Sequence, residues 1–212
     1  MGKVSELVRL RRLMVQEQLK ARDITDSRVL KAMAKIPREK FVPRNLRNYA
    51  YNDAPLSIGF GQTISQPYIV AKMCQSLELR GDEKVLDVGT GSGYQAAVLA
   101  ALAGKVISID RIPELAEMAK KTISKLGYDN IKIIIGNGSK GVLKEAPFDV
   151  IVSAAASKSV PQAWKDQLIQ KGKIIMPLKK LWGQELIRLV KSEKGFNQKS
   201  FGSVVFISLV VG

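Results

Sequence analysis

The stretch Lys84-Val-Leu-Asp-Val-Gly-Thr-Gly-Ser-Gly-Tyr-Gln-Ala-Ala-Val-Leu99 constrains the fold of this chain more than any other. Val85, Leu86 and Val88 make a short apolar run that reads as a buried strand, and residues 94–103 read as an alanine-rich helix. Between them, Gly89, Gly91 and Gly93 carry no Cβ, so the backbone can turn tightly and approach a ligand closely. The helix that follows presents its unpaired N-terminal N–H groups to whatever sits there.

The glycine spacing narrows the ligand. A dinucleotide fingerprint requires G-x-G-x-x-G, and a phosphate loop ends in Gly-Lys-Ser/Thr. Here the turn is G-x-G-x-G with no lysine beside it. A second apolar run, residues 106–109, ends in Asp110, where the second strand of a βαβ unit offers a carboxylate to ribose hydroxyls. A ligand with a ribose and no pyrophosphate is implied, and S-adenosyl-L-methionine fits. The competing reading, a glycine-rich turn followed by a solvated aspartate, leaves the flanking strands unexplained.

The rest of the chain continues the alternation. Residues 113–126 are helical, with Leu115, Met118, Ala119, Thr122 and Leu126 along one face. Residues 131–135 read as a strand ending in Gly136-Asn-Gly138, and residues 148–152 as another running into Ser153-Ala-Ala-Ala156. A helix over 161–170 and a strand over 173–176 follow, then strands over 184–191 and 203–211 that suit an antiparallel pair at the sheet edge. The expected fold is therefore α/β, a Rossmann-like, doubly wound, mostly parallel sheet with an antiparallel C-terminal edge. Ahead of it, residues 4–20 read as an amphipathic helix, residues 27–35 as a second capped by Asp26, and residues 41–57 as an ordered loop. No linker or repeat divides the chain. It reads as one domain, 1–212, with helices and loop in 1–60 and the Rossmann-like core in 61–212.

Composition removes whole classes of chemistry. The chain has no histidine and one cysteine, so Ser-His hydrolysis, histidine-based metal sites and four-cysteine zinc are excluded. The reaction must need little proton removal or must borrow a carboxylate or lysine. Cys74 lies in an apolar helical pattern and reads as a core residue. No apolar run approaches a membrane span and no signal-peptide pattern opens the chain, so a cytoplasmic protein without membrane contact is expected. The net charge is +15: residues 1–50 carry 13 basic and 5 acidic side chains, residues 151–212 carry 10 and 3, and the middle is balanced. Without an aromatic-interleaved basic motif, this excess reads as a solvated surface rather than a nucleic-acid interface.

A second informative stretch is Ile58-Gly-Phe-Gly-Gln-Thr-Ile-Ser-Gln-Pro-Tyr68. On local sequence alone, Ser65 reads as the N-cap of the helix that follows Pro67. A second, compatible reading sets its hydroxyl beside the glycine turn, facing a substrate.

With these segments collected, the chain closely resembles the protein-L-isoaspartate O-methyltransferases. The resemblance runs from about Met14 to the end. It takes in Ala32-Met33 through Pro37-Arg38, Phe41-Val-Pro43, the Gly61 to Pro67 stretch, the glycine turn, Asp110-Arg-Ile-Pro-Glu114 and Ala146-Pro-Phe-Asp149. The glycine turn alone marks only class I methyltransferases; the Gln-Thr-Ile-Ser-Gln-Pro stretch is specific. The resemblance implies transfer of methyl from S-adenosyl-L-methionine to isoaspartyl proteins and peptides, leaving S-adenosyl-L-homocysteine. It implies that Ser65 is the functional hydroxyl and that Asp87, Gly89, Gly91, Gly93 and Asp110 hold the cofactor; backbone N–H groups of Thr63, Ile64 and Ser65 are expected to assist in binding substrate. Asn137 and Gly138 fall where the family usually has Gly-Asp-Gly beside the adenine, and an amide oxygen can still accept from the adenine amino group. The alternatives are an RNA methyltransferase using the basic termini, and a cofactor-binding fold kept as an interaction module. The chain has neither an Asn-Pro-Pro-aromatic motif nor a Pro-Cys pair, and its glycine turn and Ser65 stretch are intact.

Overall fold

A computed structural model describes residues 3–211. Helix α1 (Lys3–Leu13) widens without a break into a π-helical turn (Met14–Lys20) that carries Met14, Val15 and Leu19 into the core. Helix α2 (Ser27–Lys35) begins at Asp26, whose carboxylate accepts from the Arg28 and Val29 N–H groups, as a cap should. Two 3₁₀ turns (Arg38–Lys40 and Arg44–Tyr49) lead to a hairpin of β1 (Leu56–Gly59) and β2 (Gln62–Ile64), and then to α3 (Pro67–Leu77).

The main sheet follows from β3 (Lys84–Val88), α4 (Tyr94–Ala100), β4 (Lys105–Asp110), α5 (Pro113–Lys125), β5 (Ile131–Ile135), β6 (Phe148–Ser153), α6 (Gln162–Asp166), β7 (Leu168–Lys179), β8 (Gln184–Ser192) and β9 (Gly195–Val204). Its order is β5-β4-β3-β6-β7-β8-β9, parallel through β7 and antiparallel from β7 to β9. Successive side chains alternate between two cores: Val85 and Val106 enter one with the N-terminal helices, and Leu86 and Ile107 enter the other with Trp164 of α6. The first core runs unbroken from Met14 to Val204, so the N-terminal helices and the sheet share one interior. Arg28 ties them further, donating to the carbonyls of Leu79 (2.6 Å) and Leu102 (2.7 Å).

Several expectations shift. The predicted helix over 161–170 is only α6, because Leu168 already pairs with Phe148 in the sheet. The final strand is β9 (Gly195–Val204), not 203–211; as an edge strand it exposes polar residues on both faces, so no alternation marks it. Residues 205–211 instead cross the carboxyl ends of the strands, where Ala156 donates to Ile207 O and accepts from Leu209 N, both at 2.7 Å. Helix α4 stops at Ala100, and residues 101–103 close it as a turn. In α5 the buried face runs through Leu115, Ala116, Ala119 and Ile123, and Met118 faces solvent. Among residues 41–57, the expected loop contains a 3₁₀ turn and the start of β1.

The basic excess is only partly solvated. Arg11, Arg28, Arg38, Lys173, Arg188 and Lys191 each donate to a main-chain carbonyl. These cations act as fasteners between segments.

Candidate active site

In this sheet the chain leaves β3 toward β4 on one side and returns to pair β6 on the other, a topological switch that opens a crevice at the strands' carboxyl ends. A cleft of about 700 Å³ lies there, lined by Gly89 and Gly91 after β3, Asp110 at the end of β4, and Asn137 and Gly138 after β5. That volume suits a nucleoside-sized ligand.

The turn after β3 is fixed from its neighbours. The Gly89 and Thr90 N–H groups donate to Ile109 O at 2.9 and 3.3 Å, and Ala154 N donates to Val88 O at 2.9 Å. Gly89 (φ +94°) and Gly91 (φ +52°) hold left-handed backbone, which glycine adopts without a Cβ penalty. Gly93 (φ +87°) is also left-handed but faces away from the cleft: a Cβ there would meet Ala119 Cβ at 3.2 Å, so its role is close packing of α4 on α5.

Asp110 is 7% exposed and lines the cleft. Its Oδ2 accepts from Gly91 N (2.7 Å) and its Oδ1 from Ile112 N (2.9 Å). A carboxylate offers about four acceptor sites, so two hydrogen bonds fix its orientation and leave capacity for a pair of hydroxyls. Asp87 differs from expectation. It is fully buried, does not line the cleft, and accepts from Gln95 Nε2 (2.8 Å) and Ser108 Oγ (2.7 Å). Ser108 is in turn hydrogen-bonded to Thr90 of the glycine turn at 2.6 Å. Burial pushes the Asp87 carboxyl up to about 6, with Asp110 adding repulsion. Asp87 therefore braces the turn from beneath.

Asn137 caps the short 3₁₀ turn after β5: its Oδ1 accepts from both the N–H (2.9 Å) and the Oγ (2.8 Å) of Ser139. The oxygen expected to meet an adenine amino group is thus already engaged twice. Gly138 is packed so closely that a Cβ would lie 2.5 Å from Val88 Cγ1, and its carbonyl accepts from the buried Trp164 Nε1 at 2.8 Å.

The β1–β2 hairpin delivers the second informative stretch. Thr63 and Ser65 line the cleft, whereas Ile64 turns its side chain into the core. Ser65 does not cap α3: Gln66 occupies the N-cap position and makes no side-chain cap bond, with Pro67 beginning the helix. Of the two readings of Ser65, the one at the cleft matches its position. Sequence reasoning missed residues 204–210, which form one wall of the cleft, and Arg38, a fully buried guanidinium that donates to Ser65 O at 2.8 Å.

Residues 10–212 match the model of the Protein-L-isoaspartate(D-aspartate) O-methyltransferase family. The chain belongs to that family. A protein-L-isoaspartate O-methyltransferase of Methanoculleus marisnigri is 48% identical over 202 residues, covering 95% of this chain and 92% of the relative. Another, from Syntrophobacter fumaroxidans, is 50% identical over 197 residues, covering 93% and 92%. Among solved structures, a Plasmodium falciparum chain assigned to the same methyltransferases and crystallised with S-adenosyl-L-homocysteine is 27% identical and superimposes with a TM-score of 0.82, over 94% of this chain and 98% of that one. A further protein-L-isoaspartate O-methyltransferase structure, 29% identical, gives 0.84 over 95% of this chain; this chain spans 66% of its length. These two solved structures thus share the overall fold of this chain. No helix among the described residues of this member is long and apolar enough to cross a membrane.

Proposed function

We propose that this chain transfers the methyl group of S-adenosyl-L-methionine to the α-carboxylate of L-isoaspartyl residues in damaged proteins and peptides, releasing S-adenosyl-L-homocysteine. Family membership supports the reaction. The observation that carries it in this chain is that Ser65 shares one cleft with Gly89, Gly91 and Asp110. The whole chain acts as one domain, because the N-terminal helices and the sheet share a core. It works in the cytoplasm, in keeping with a single buried, unpaired Cys74.

The residues fit the cofactor. Asp110, held by Gly91 N and Ile112 N, has acceptor capacity left for ribose hydroxyls, and the bare backbone at Gly89 and Gly91 admits the methionine portion. When bound, S-adenosyl-L-methionine supplies an electrophilic methyl group. The absence of histidine is no obstacle, since an α-carboxylate with an ordinary pKa of about 3.5 is ionised at neutral pH and needs no base. The protein's share is positioning and exclusion of water. Ser65 donates its hydroxyl proton in a hydrogen bond to one carboxylate oxygen and leaves the other free to attack. Thr63 lies on the same wall and adds a second polar contact. An RNA-methyltransferase reading gains no support from the relatives, and several of the cations it would use are committed to main-chain carbonyls.

Transfer of labelled methyl to paired synthetic peptides, identical except for isoaspartate against aspartate at one position, tests this. Base-labile methyl ester on the isoaspartyl peptide alone is expected. Equal labelling of both peptides, or none while S-adenosyl-L-homocysteine still binds, would overturn the reading.

A further inference from the structure

Among the described residues Arg38 is the second-largest fully buried side chain, and no carboxylate among them pairs with it. Its Nε donates to Ala50 O at 2.7 Å and its Nη2 to Ser65 O at 2.8 Å. The guanidinium carbon sits 4.8 Å from the centre of the Tyr94 ring. Its Nη1 is buried with no hydrogen-bond partner among the described residues. The neighbouring carboxylate, Glu39, is engaged by Arg11 and Tyr51 instead. Burial lowers the Arg38 pKa to about 10, so it remains a cation at neutral pH.

A buried cation without a counter-ion carries a desolvation cost that an apolar side chain of the same volume would not. A planar fork, however, can hold two carbonyls at fixed angles and stack on an aromatic face at once. The three groups it grips belong to different parts of the site. Ser65 O is on the substrate side, Ala50 caps the 3₁₀ turn that precedes the hairpin, and Tyr94 opens α4 immediately after the glycine turn. Phe41 packs edge-on against the same Tyr94 ring at 5.4 Å, so the stacked partner is itself clamped.

We propose that Arg38 is a positioning residue for methyl transfer, setting the separation between the Ser65 loop and the glycine turn. This rests on the function proposed above. Two reactants held on opposite walls must meet in line, and a displacement of about 1 Å can cost on the order of 100-fold in rate. The role predicts a loss in turnover with little change in the binding of either partner.

The test uses the full chain with Arg38→Met and Arg38→Lys. It reads kcat and KM for an isoaspartyl peptide, and the Kd of S-adenosyl-L-homocysteine by calorimetry. In Arg38→Met, kcat should fall about 100-fold while the Kd and KM stay within about 3-fold. Arg38→Lys keeps the charge but loses the fork, perturbs folding less, and should still lose at least ~10-fold in kcat. Unchanged kcat in folded Arg38→Lys overturns the proposal. So does a loss of S-adenosyl-L-homocysteine affinity equal to the loss in kcat, which would make Arg38 general scaffold. If the unaltered chain transfers no methyl to the isoaspartyl peptide, the functional reading falls and the positioning role with it. If it does, and both variants match it, only the positioning role falls.

Discussion

Replacing Asp110 by asparagine removes one acceptor oxygen from a site that uses both. In the native protein Oδ2 accepts from Gly91 N at 2.7 Å and Oδ1 from Ile112 N at 2.9 Å. An asparagine can serve one of these donors, and its NH₂ then faces the other. Leaving a buried N–H unsatisfied costs about 1–3 kcal/mol, and the low end applies here because the group borders the cleft and water can reach it. Stability should therefore fall by about 1 kcal/mol in denaturant unfolding. The effect on the cofactor should be larger. Hydrogen bonds to a charged acceptor contribute about 1.5–3 kcal/mol, and each 1.4 kcal/mol is tenfold in affinity, so the Kd of S-adenosyl-L-homocysteine should rise about 10- to 100-fold. Calorimetric titration of the variant beside the unaltered chain measures this. A folded Asp110→Asn protein whose Kd stays within about twofold would refute the assignment of Asp110 to the ribose. Unchanged stability would refute the tether of the glycine turn.

Ser65→Ala should lower kcat/KM for an isoaspartyl peptide about 10- to 100-fold, the loss of one hydrogen bond to a charged group, with S-adenosyl-L-homocysteine affinity unchanged; equal loss of both would point to a disturbed loop. Asp87 keeps its proton to about pH 6 when folded but only to the ordinary carboxylate range when unfolded. The folded state thus binds more protons across that window, and the Asp87 contribution to stability is lost as pH rises from about 4 through about 6. Asp87→Asn lacks that slope, so urea unfolding at pH 4 and 7 should show the difference between the two proteins moving in the variant's favour by about 2 kcal/mol. Parallel curves would exclude the buried carboxyl as the cause. Gly138→Ala would set a Cβ 2.5 Å from Val88 Cγ1 and should destabilise by about 1–3 kcal/mol. Adding Val88→Ala removes that methyl, so the double variant should be less destabilised than the sum of the two single changes; strict additivity would count against the clash.

Where burial imposes a pattern, the sequence was a good guide. Val85, Leu86 and Val88 read as a strand because both faces of a central parallel strand are covered, and Asp26 announced the start of α2 by its side chain. The glycine turn and Asp110 were legible because left-handed backbone after β3 calls for glycine and Asp110 closes the apolar run of β4. Strand β9 was not, since Asn197, Gln198, Lys199 and Ser200 face solvent at the sheet edge and follow no period. The hydrophobic run after it looked like a strand because the apolar cleft wall asks for the same residues. Ser65 stands one position before the N-cap residue Gln66, and only the three-dimensional path separates a capping serine from one that lines the cleft. Asp87 was expected among the cofactor residues only through the family resemblance, and its burial beneath the turn follows from strand β3 being covered on both faces. Arg38 was invisible as a fastener, because an arginine between Pro37 and Glu39 gives no sign that it is buried.

The β3 strand pairs with β4 and β6 at very different distances along the chain: Val85 lies opposite Val106 on one side and Val150 on the other. The second pairing closes a loop roughly three times longer, which adds about 1 kcal/mol of closure entropy before any contact repays it. The floor of the cleft, from the glycine turn to Ala154, exists only in chains that have made that long-range closure. A molecule that fits the floor therefore selects completely assembled sheets. At 100 times its Kd it would raise the unfolding free energy by about 2.7 kcal/mol, so occupancy and durability of this protein are one linked equilibrium.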